Sequence, residues 1–164
     1  MKVAYFVLFS ILIGQIAGSA TAKESRQFGQ WELSCPESES TCVLAQTIAS
    51  TDHNWLATLR IALSGAKDGD DAVVQFLVPP SVHLASGLFS TVAQSEPSQA
   101  TFVRCNTNAC EAVLALDMEA LARWKRGRVA ELQYRPAADV PPVVFDVSLM
   151  GLTAGLDAAV VEAN

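Results

Sequence analysis

The chain has 164 residues, of which 17 are acidic and 11 basic, so its formal net charge at pH 7 is −6. An acidic surface repels phosphate backbones and anionic lipid headgroups, which argues against a nucleic-acid partner and against binding to an anionic membrane. The length fits a single domain with one hydrophobic core once a leader is set aside.

Residues 1–22 are predicted to be a cleaved export signal. Lys2 supplies the positive charge, an apolar run follows over residues 3–14, and Ala20-Thr21-Ala22 offers a small-residue cleavage site. The mature chain would begin at Lys23, with a net charge of −7 from 10 basic and 17 acidic residues, because Lys2 leaves with the leader. No later segment is apolar enough to cross a bilayer. We therefore expect a periplasmic or extracellular protein, and association with the outer membrane is a further alternative.

Alternating apolar and polar residues predict a chain built mainly of strands. Polar turns rich in Pro, Ser, Gly, Asp or Asn separate the runs at 36–40, 64–71 and 106–109. Strands are predicted over residues 28–35, 41–48, 55–63, 72–78, 100–105, 110–116, 129–134 and 143–149.

The stretch 81–98 has a less regular pattern. We expect its large apolar side chains to pack inward; these are Leu84, Leu88, Phe89 and Val92.

One short helix is predicted from Met118 to Arg126. Asp117 has the side chain of an N-cap, and Gly127 stands at the C′ position, where glycine often ends a helix. The inner face is expected to carry Met118, Leu121, Ala122 and Trp124. A second short helix is predicted over 151–162, although a glycine within it lowers its helix propensity.

The four cysteines form two couples, Cys35 with Cys42 and Cys105 with Cys110, and each couple flanks a polar turn. In an exported chain this pattern is typical of disulfide bonds. Four cysteines allow three pairings, and hairpin geometry favours the local one over crossed bridges. A redox pair and a zinc site are further alternatives, but C-x-x-C is absent and exported thiols meet oxidation first. We therefore expect neither a metal nor a cofactor.

These elements predict an all-β fold. The short strands, regular turns and single clear helix favour an antiparallel, immunoglobulin-like β-sandwich with two disulfide-bridged hairpins and one or two short helices. The domain is expected to span residues 23–164.

Two histidines, His53 in a polar turn and His83 after a double proline, are the candidates for a hydrolase. A catalytic triad also needs a nucleophile and a carboxylate within hydrogen-bond reach. Neither G-x-S-x-G nor H-E-x-x-H occurs. We therefore expect no enzyme, and a hydrolase that uses either histidine remains an alternative.

Two groups of charged residues are candidate binding sites. Asp68, Asp70 and Asp71 resemble the start of a calcium loop, but the closing glutamate is missing and a hairpin turn explains them better. A basic cluster is a candidate docking patch for an acidic or phosphorylated envelope component. Its members are Arg123, Lys125, Arg126 and Arg128, with Arg135 nearby. Lys125 and Arg126 are also explained by charge complementarity at a helix C-terminus.

Four motifs occur in order along the chain. Phe28-Gly29-Gln30-Trp31 leads to Cys35, and Cys42 begins Cys-Val-Leu-Ala-Gln. The second cysteine couple encloses Asn-Thr-Asn-Ala, and residues 147–152 read Val-Ser-Leu-Met-Gly-Leu. Over essentially the whole mature chain, this pattern resembles the invasion-associated locus B family of exported bacterial proteins.

The resemblance implies a periplasmic or envelope-associated β-sandwich protein of Gram-negative bacteria, and it carries over no catalytic residues. The chain departs from the family pattern at Ala109, where a glycine commonly precedes the last cysteine. We expect a binding or structural protein of the envelope whose partner is an unknown protein or envelope component, with a role in host-cell interaction implied only by the family. The acidic balance and the 64–71 hairpin leave one further alternative, an inhibitor or chaperone-like binder of a basic secreted enzyme.

Overall fold

The computed structural model describes residues 25–35, 41–64 and 71–162. The predicted leader, residues 1–22, lies outside the described residues. Within them the strands are β1 (Arg26–Phe28), β2 (Trp31–Ser34), β3 (Val43–Ala49), β4 (Trp55–Leu63), β5 (Ala72–Val78), β6 (Leu88–Val92), β7 (Ser98–Cys105), β8 (Cys110–Leu116), β9 (Val129–Tyr134) and β10 (Val143–Ser148). The helices are α1 (Met118–Arg126) and α2 (Leu152–Glu162), and Leu84–Ser86 forms a 3-10 turn.

All ten strands belong to one antiparallel sheet in the order β1-β2-β3-β4-β5-β8-β7-β6-β9-β10. Strand β7 joins its two halves, because residues 98–100 pair with β6 whereas residues 101–105 pair with β8. The register shifts between Phe102 and Arg104, and such irregularities bend a strand and increase its twist. The result is a continuous, curled sheet.

The predicted all-β antiparallel class is therefore confirmed. The immunoglobulin-like sandwich of two separate sheets is not confirmed, since β7 makes the halves continuous. Strands β4, β5, β8 and β9 have the predicted bounds.

The core lies inside the curl, where alternate side chains of the strands meet. In β5, for example, Ala72, Val74, Phe76 and Val78 are at most 1% exposed, while the residues between them are half-buried. Tyr134 of β9 crosses the core and donates its hydroxyl to the Leu56 carbonyl oxygen at 3.2 Å. The helices complete the core with Leu121 and Trp124 from α1 and with Leu152, Leu156 and Ala159 from α2.

The two ends of the sheet meet through a backbone contact between the β1–β2 turn and the junction that leads from β10 into α2. Gly29 and Gly151 both have positive φ, +64° and +94°. A Cβ atom at Gly151 would overlap the Phe28 carbonyl oxygen, and one at Gly29 would overlap the Met150 carbonyl oxygen. Only glycine allows this approach without a steric clash.

Two side chains from β2 and β3 strengthen this contact by hydrogen bonding to the end of β10. The Ser148 carbonyl oxygen, at the end of β10, accepts hydrogen bonds from Trp31 Nε1 at 3.0 Å and from Gln46 Nε2 at 3.3 Å. Both donors are buried, so their hydrogen bonds avoid the cost of unpaired polar atoms in the core. Strands β2 and β3 are thereby tied to β10.

Some predicted elements need correction. The single strand predicted over 28–35 is two strands, β1 and β2, because the left-handed Gly29 turns the chain between Phe28 and Trp31. The irregular stretch 81–98 contains β6, in which Leu88 and Val92 are buried as predicted. Leu84 was predicted to pack inward but lies in the 3-10 turn and is 50% exposed.

The prediction of helix α1 is confirmed, and Asp117 caps it by accepting a hydrogen bond from the Ala120 amide at 2.8 Å. Met118 was wrongly placed on the inner face and is 63% exposed, since it lies at the first helical position beyond the sheet. Gly127 does not adopt the left-handed conformation, having φ −69°. Its requirement is space, because a Cβ atom would lie 2.7 Å from Val92 Cγ1 and 2.9 Å from Leu149 Cδ1.

The cysteines form two local disulfides, Cys35–Cys42 and Cys105–Cys110, with Cα–Cα distances of 4.1 and 4.0 Å. The second bridge links register partners at the end of the β7–β8 hairpin. Its turn is held by Asn106 Oδ1, which accepts hydrogen bonds from the amides of residues 108 and 109 at 2.8 and 3.0 Å. An alanine therefore fits at position 109, since this turn holds its shape through an Asx hydrogen bond and no left-handed residue is found at 109.

Removing the second bridge should lower stability through the unfolded state. Replacing Cys105 and Cys110 together by Ala should reduce the free energy of unfolding by about 2 kcal/mol, because a short loop regains its freedom only in the unfolded chain. Urea unfolding of the oxidised double variant and of oxidised wild type measures the difference. Dithiothreitol should reduce the wild-type stability by more than that of the variant; equal midpoints for both oxidised proteins would show that the bridge has no energetic role.

Candidate binding site

The outer face of the sheet, opposite the core, contains a groove over β2, β3, β4, β5 and β8. Its volume is about 760 Å³. The floor is made of small, half-buried aliphatic side chains, which are Val43, Ala45, Ala62, Val73 and Val113. The polar lining residues are Glu32, Ser34, Arg60, Gln75 and Glu111. We call this the outer groove.

Strand register explains why residues far apart in the chain meet in the outer groove. Glu32 pairs with Ala45, Ala45 with Arg60, Arg60 with Gln75, and Gln75 with Val113, so all five form one row across the sheet. Because neighbouring strands lie about 4.8 Å apart, Glu32 and Arg60 are separated by roughly 10 Å, whereas Arg60 and Gln75 are direct neighbours.

Glu111 lies at one side of the groove, and each of its carboxylate oxygens has a bonding partner. Its Oε1 accepts a hydrogen bond from Gln75 Nε2 at 2.6 Å, and its Oε2 forms an ion pair with Arg104 Nε. The pKa of Glu111 is lowered mainly by the Gln75 hydrogen bond, against the opposing effect of burial, and further by the charges of Arg104 and Arg60. Glu111 is therefore held ionised with both oxygens occupied.

Arg60 differs from Arg104 in its bonding. Its charge is close enough to act on Glu111, but the Arg60 guanidinium makes no hydrogen bond or ion pair with any of the residues that the structure describes. It is exposed at the middle of the row, above the floor of the outer groove. Among the residues that the structure describes, the guanidinium of Arg60 thus has no bonded partner in the groove.

The predicted basic cluster is partly neutralised. Arg123 Nη1 lies 2.6 Å from Glu119 Oε1, and Lys125 Nζ lies 4.0 Å from Asp157 Oδ1. The two remaining members, Arg126 and Arg128, are exposed and form no ion pair within residues 25–35, 41–64 and 71–162.

The structure brings two members of this cluster to a second, smaller depression. It has a volume of about 390 Å³ and is lined by Val92, Ala93, Ser95, Arg123, Arg126 and Gly127. Lys125 and Arg128 are not part of its lining. The binding role of the cluster stays a prediction.

The two histidines lie on different turns. His83 Nδ1 is 2.7 Å from Ser86 Oγ in the 3-10 turn, and no described carboxylate is bonded to His83. His53 is exposed, with a left-handed backbone (φ +61°), in the β3–β4 turn. Neither histidine belongs to an assembled triad in the described part of the chain, and a hydrolase that uses either histidine stays an alternative prediction.

The remaining candidates concern metals and membranes. Among the described residues, no three His, Cys, Asp or Glu side chains gather as a metal site, and Asp68 and Asp70 lie outside that part of the chain. The described helices are too short or too polar to span a bilayer.

Sequence reasoning missed the outer groove. Its polar members come from four strands, in which polar residues alternate with apolar ones or interrupt an apolar run, so no local motif marks them. A polar residue such as Arg60 or Gln75 in the middle of an apolar strand was the available signal. Its meaning depends on the register, which a single sequence does not reveal.

Comparison with known proteins identifies the family. The family model "Invasion associated locus B (IalB) protein" matches residues 31–160. The chain belongs to the invasion-associated locus B family. Two curated relatives, both named invasion protein B homolog and from Brucella abortus strain 2308 and biovar 1 strain 9-941, are each 30% identical over 145 residues, which cover 85% of this chain and 80% of theirs.

A solved structure gives the same fold. The crystal structure of invasion associated protein B from Bartonella henselae aligns with a TM-score of 0.74 at 16% identity, over 85% of this chain and 97% of that chain. The fold of this IalB-family chain is thereby supported independently of its sequence similarity. Two of the motifs that resembled the family, residues 28–31 and 147–152, meet at the glycine contact that closes the sheet.

Acid should weaken the protein partly through Glu111. The usual pKa of a glutamate carboxyl group is 4.5. A carboxyl group whose pKa is lower than this in the folded state stabilises the protein at pH values above 4.5, and this contribution is lost as the pH falls below 4.5. Glu111→Gln should reduce stability by about 1–2 kcal/mol at pH 7, and less at pH 3. Urea midpoints between pH 3 and 7 measure this. Glu119→Gln, the same change on an exposed helix position, is the control; parallel pH curves for wild type and Glu111→Gln would contradict the assignment.

Proposed function

We propose that this chain is an exported binding protein of the cell envelope, of the IalB type and without catalytic chemistry. The observation that carries the proposal is the outer groove on a disulfide-bridged sheet. Its volume of about 760 Å³ falls within the range of known small-ligand sites, and apolar side chains with a few polar groups are the usual lining of such sites.

Two features support export. The first 22 residues have the three-part pattern of a secretory signal. Both cysteine couples are joined as local disulfides, which persist in oxidising compartments and are rare in the cytosol. The periplasm or the outer surface of the envelope is therefore the proposed location.

The arrangement of side chains favours binding over catalysis. Glu111, the half-buried carboxylate at one side of the groove, is bonded to Gln75 and Arg104 and has a lowered pKa, so it is a poor proton donor. Neither His53 nor His83 lines the outer groove. The groove thus has the features of a recognition site, with fixed polar groups beside an apolar floor.

A role in host-cell interaction is proposed from the family and from the names of the Brucella and Bartonella relatives. The partner would be a protein or a component of the envelope. Arg126 and Arg128 offer a separate contact for an acidic partner, since they are exposed cations on an otherwise acidic chain.

The location is tested by expressing the full chain in a Gram-negative host and separating the periplasm by osmotic shock. We expect the protein in the shock fluid, with an N-terminus at Lys23 and no free thiol. A variant lacking residues 2–22 should stay in the cytoplasm with its thiols reduced, because the disulfides form after export. Full-length protein found in the cytoplasm, with its leader intact, would refute the proposed export.

A further inference from the structure

We propose that the outer groove binds an amphiphile: an apolar chain over the aliphatic floor, with an anionic group, a carboxylate or a phosphate, at Arg60. This inference rests on the proposed function, since it names the ligand of the binding site described there. Three properties of the groove lead to it, namely its floor, its unpaired cation and the bonding of its carboxylates.

The floor of the groove is unusually apolar for an outer sheet face. A sheet face that meets water is normally polar, yet Val43, Ala45, Ala62, Val73 and Val113 stand together here. Helix α2 packs on the opposite side, where Gly155 approaches the core residue Leu44. No helix within residues 25–35, 41–64 and 71–162 covers the floor, and its five aliphatic side chains line the groove.

The alanines give the floor its depth. Ala45 lies between Glu32 and Arg60 in the row across the sheet, and Ala62 follows Arg60 on the same face of β4. Two methyl side chains between larger neighbours leave a trough that runs beside the guanidinium of Arg60. A chain of methylene groups fits such a trough, because transferring apolar surface from water to an apolar surface is favourable.

The positive charge of Arg60 favours a negatively charged polar group in the ligand. Arg60 has no described partner, and a guanidinium binds a carboxylate or a phosphate through two parallel hydrogen bonds. Gln75 is its direct register neighbour on the same face, so one ligand group can reach both side chains.

The carboxylates of the groove do not make its centre favourable for a cation. The charge of Glu111 is balanced by its ion pair with Arg104, and its other oxygen accepts a hydrogen bond from Gln75. Glu32 is the other carboxylate of the lining, and it lies at the far end of the row, two strands from Arg60. A cation at the centre would face Arg60 instead, which makes an anion the favoured polar group.

Methyl NMR of the disulfide-bonded, exported protein tests the proposal. Sodium decanoate and decyl phosphate are titrated separately below their micelle concentrations, and decyltrimethylammonium is the cationic probe with the same chain. We expect saturable shifts of the Val43, Val73 and Val113 methyl signals with at least one anionic probe. The cationic probe should bind about ten-fold more weakly or not at all. The stronger of the two anions identifies the carboxylate or phosphate class.

Three variants locate the site. Arg60→Gln should weaken binding of the anionic probe about ten-fold, whereas Arg128→Gln, an equal loss of charge on an exposed arginine outside the groove, should leave it unchanged. Ala62→Phe keeps Arg60 but fills the trough, and should abolish binding. Because positions 60 and 62 face away from the core, all three variants are expected to fold, which circular dichroism and a free-thiol assay verify.

The ligand assignment is overturned if the groove methyl signals do not respond to either anion, if the cation binds equally well, or if Arg60→Gln and Arg128→Gln have the same effect. These outcomes are separate from failure of the proposed function. An exported protein whose groove ignores all three probes loses the ligand class only, whereas a protein that remains in the cytoplasm loses the envelope role.

Discussion

The contact between the β1–β2 turn and the junction of β10 with α2 is the constraint on which the rest of the structure depends. Here the backbone at Gly29 and Gly151 packs directly on carbonyl groups of the opposite segment, and Trp31 and Gln46 donate hydrogen bonds to Ser148. The contact joins residues near both ends of the described chain. It therefore keeps a ten-stranded sheet curled over one core, where the same strands in an open sheet would expose their inner face.

The two faces of the curled sheet carry different kinds of side chains. The inner face is filled by large side chains such as Trp31 and Phe76, both 0% exposed, and is covered by helix α2. The outer face of the first half has small side chains and a few fixed polar groups, which leaves the outer groove. The disulfide Cys35–Cys42 follows immediately after Ser34 and before Val43, two residues of the groove lining, so it holds one edge of the groove.

Much of the fold could be predicted from the sequence because it depends on local patterns. The strands β4, β5, β8 and β9 alternate regularly, and Asp117 marks the start of α1. The turn at Gly29 was missed because the chain reverses its direction there through one left-handed glycine, and the apolar residues on both sides continue the pattern of a single strand. The role of Gly127 was also misread, since its need for space comes from Val92 and Leu149, which are distant in sequence. The outer groove was missed for the same reason: Glu32, Arg60, Gln75 and Glu111 come to line one groove only through the strand register.

Hydrogen exchange combined with urea unfolding of Gly151→Ala tests the closing contact most directly. A methyl group at this position would overlap the backbone of Phe28, and the positive φ of residue 151 is strained for alanine. At Gly155, by contrast, the atom 2.5 Å from the added methyl group belongs to the movable side chain of Leu44. We expect Gly151→Ala to lose at least about 3 kcal/mol of stability. Amides of β1, β2 and β10 should lose protection together, while Gly155→Ala should have a clearly smaller effect. If Gly151→Ala kept the wild-type midpoint, or if protection fell only within α2, the two ends of the sheet would not depend on each other.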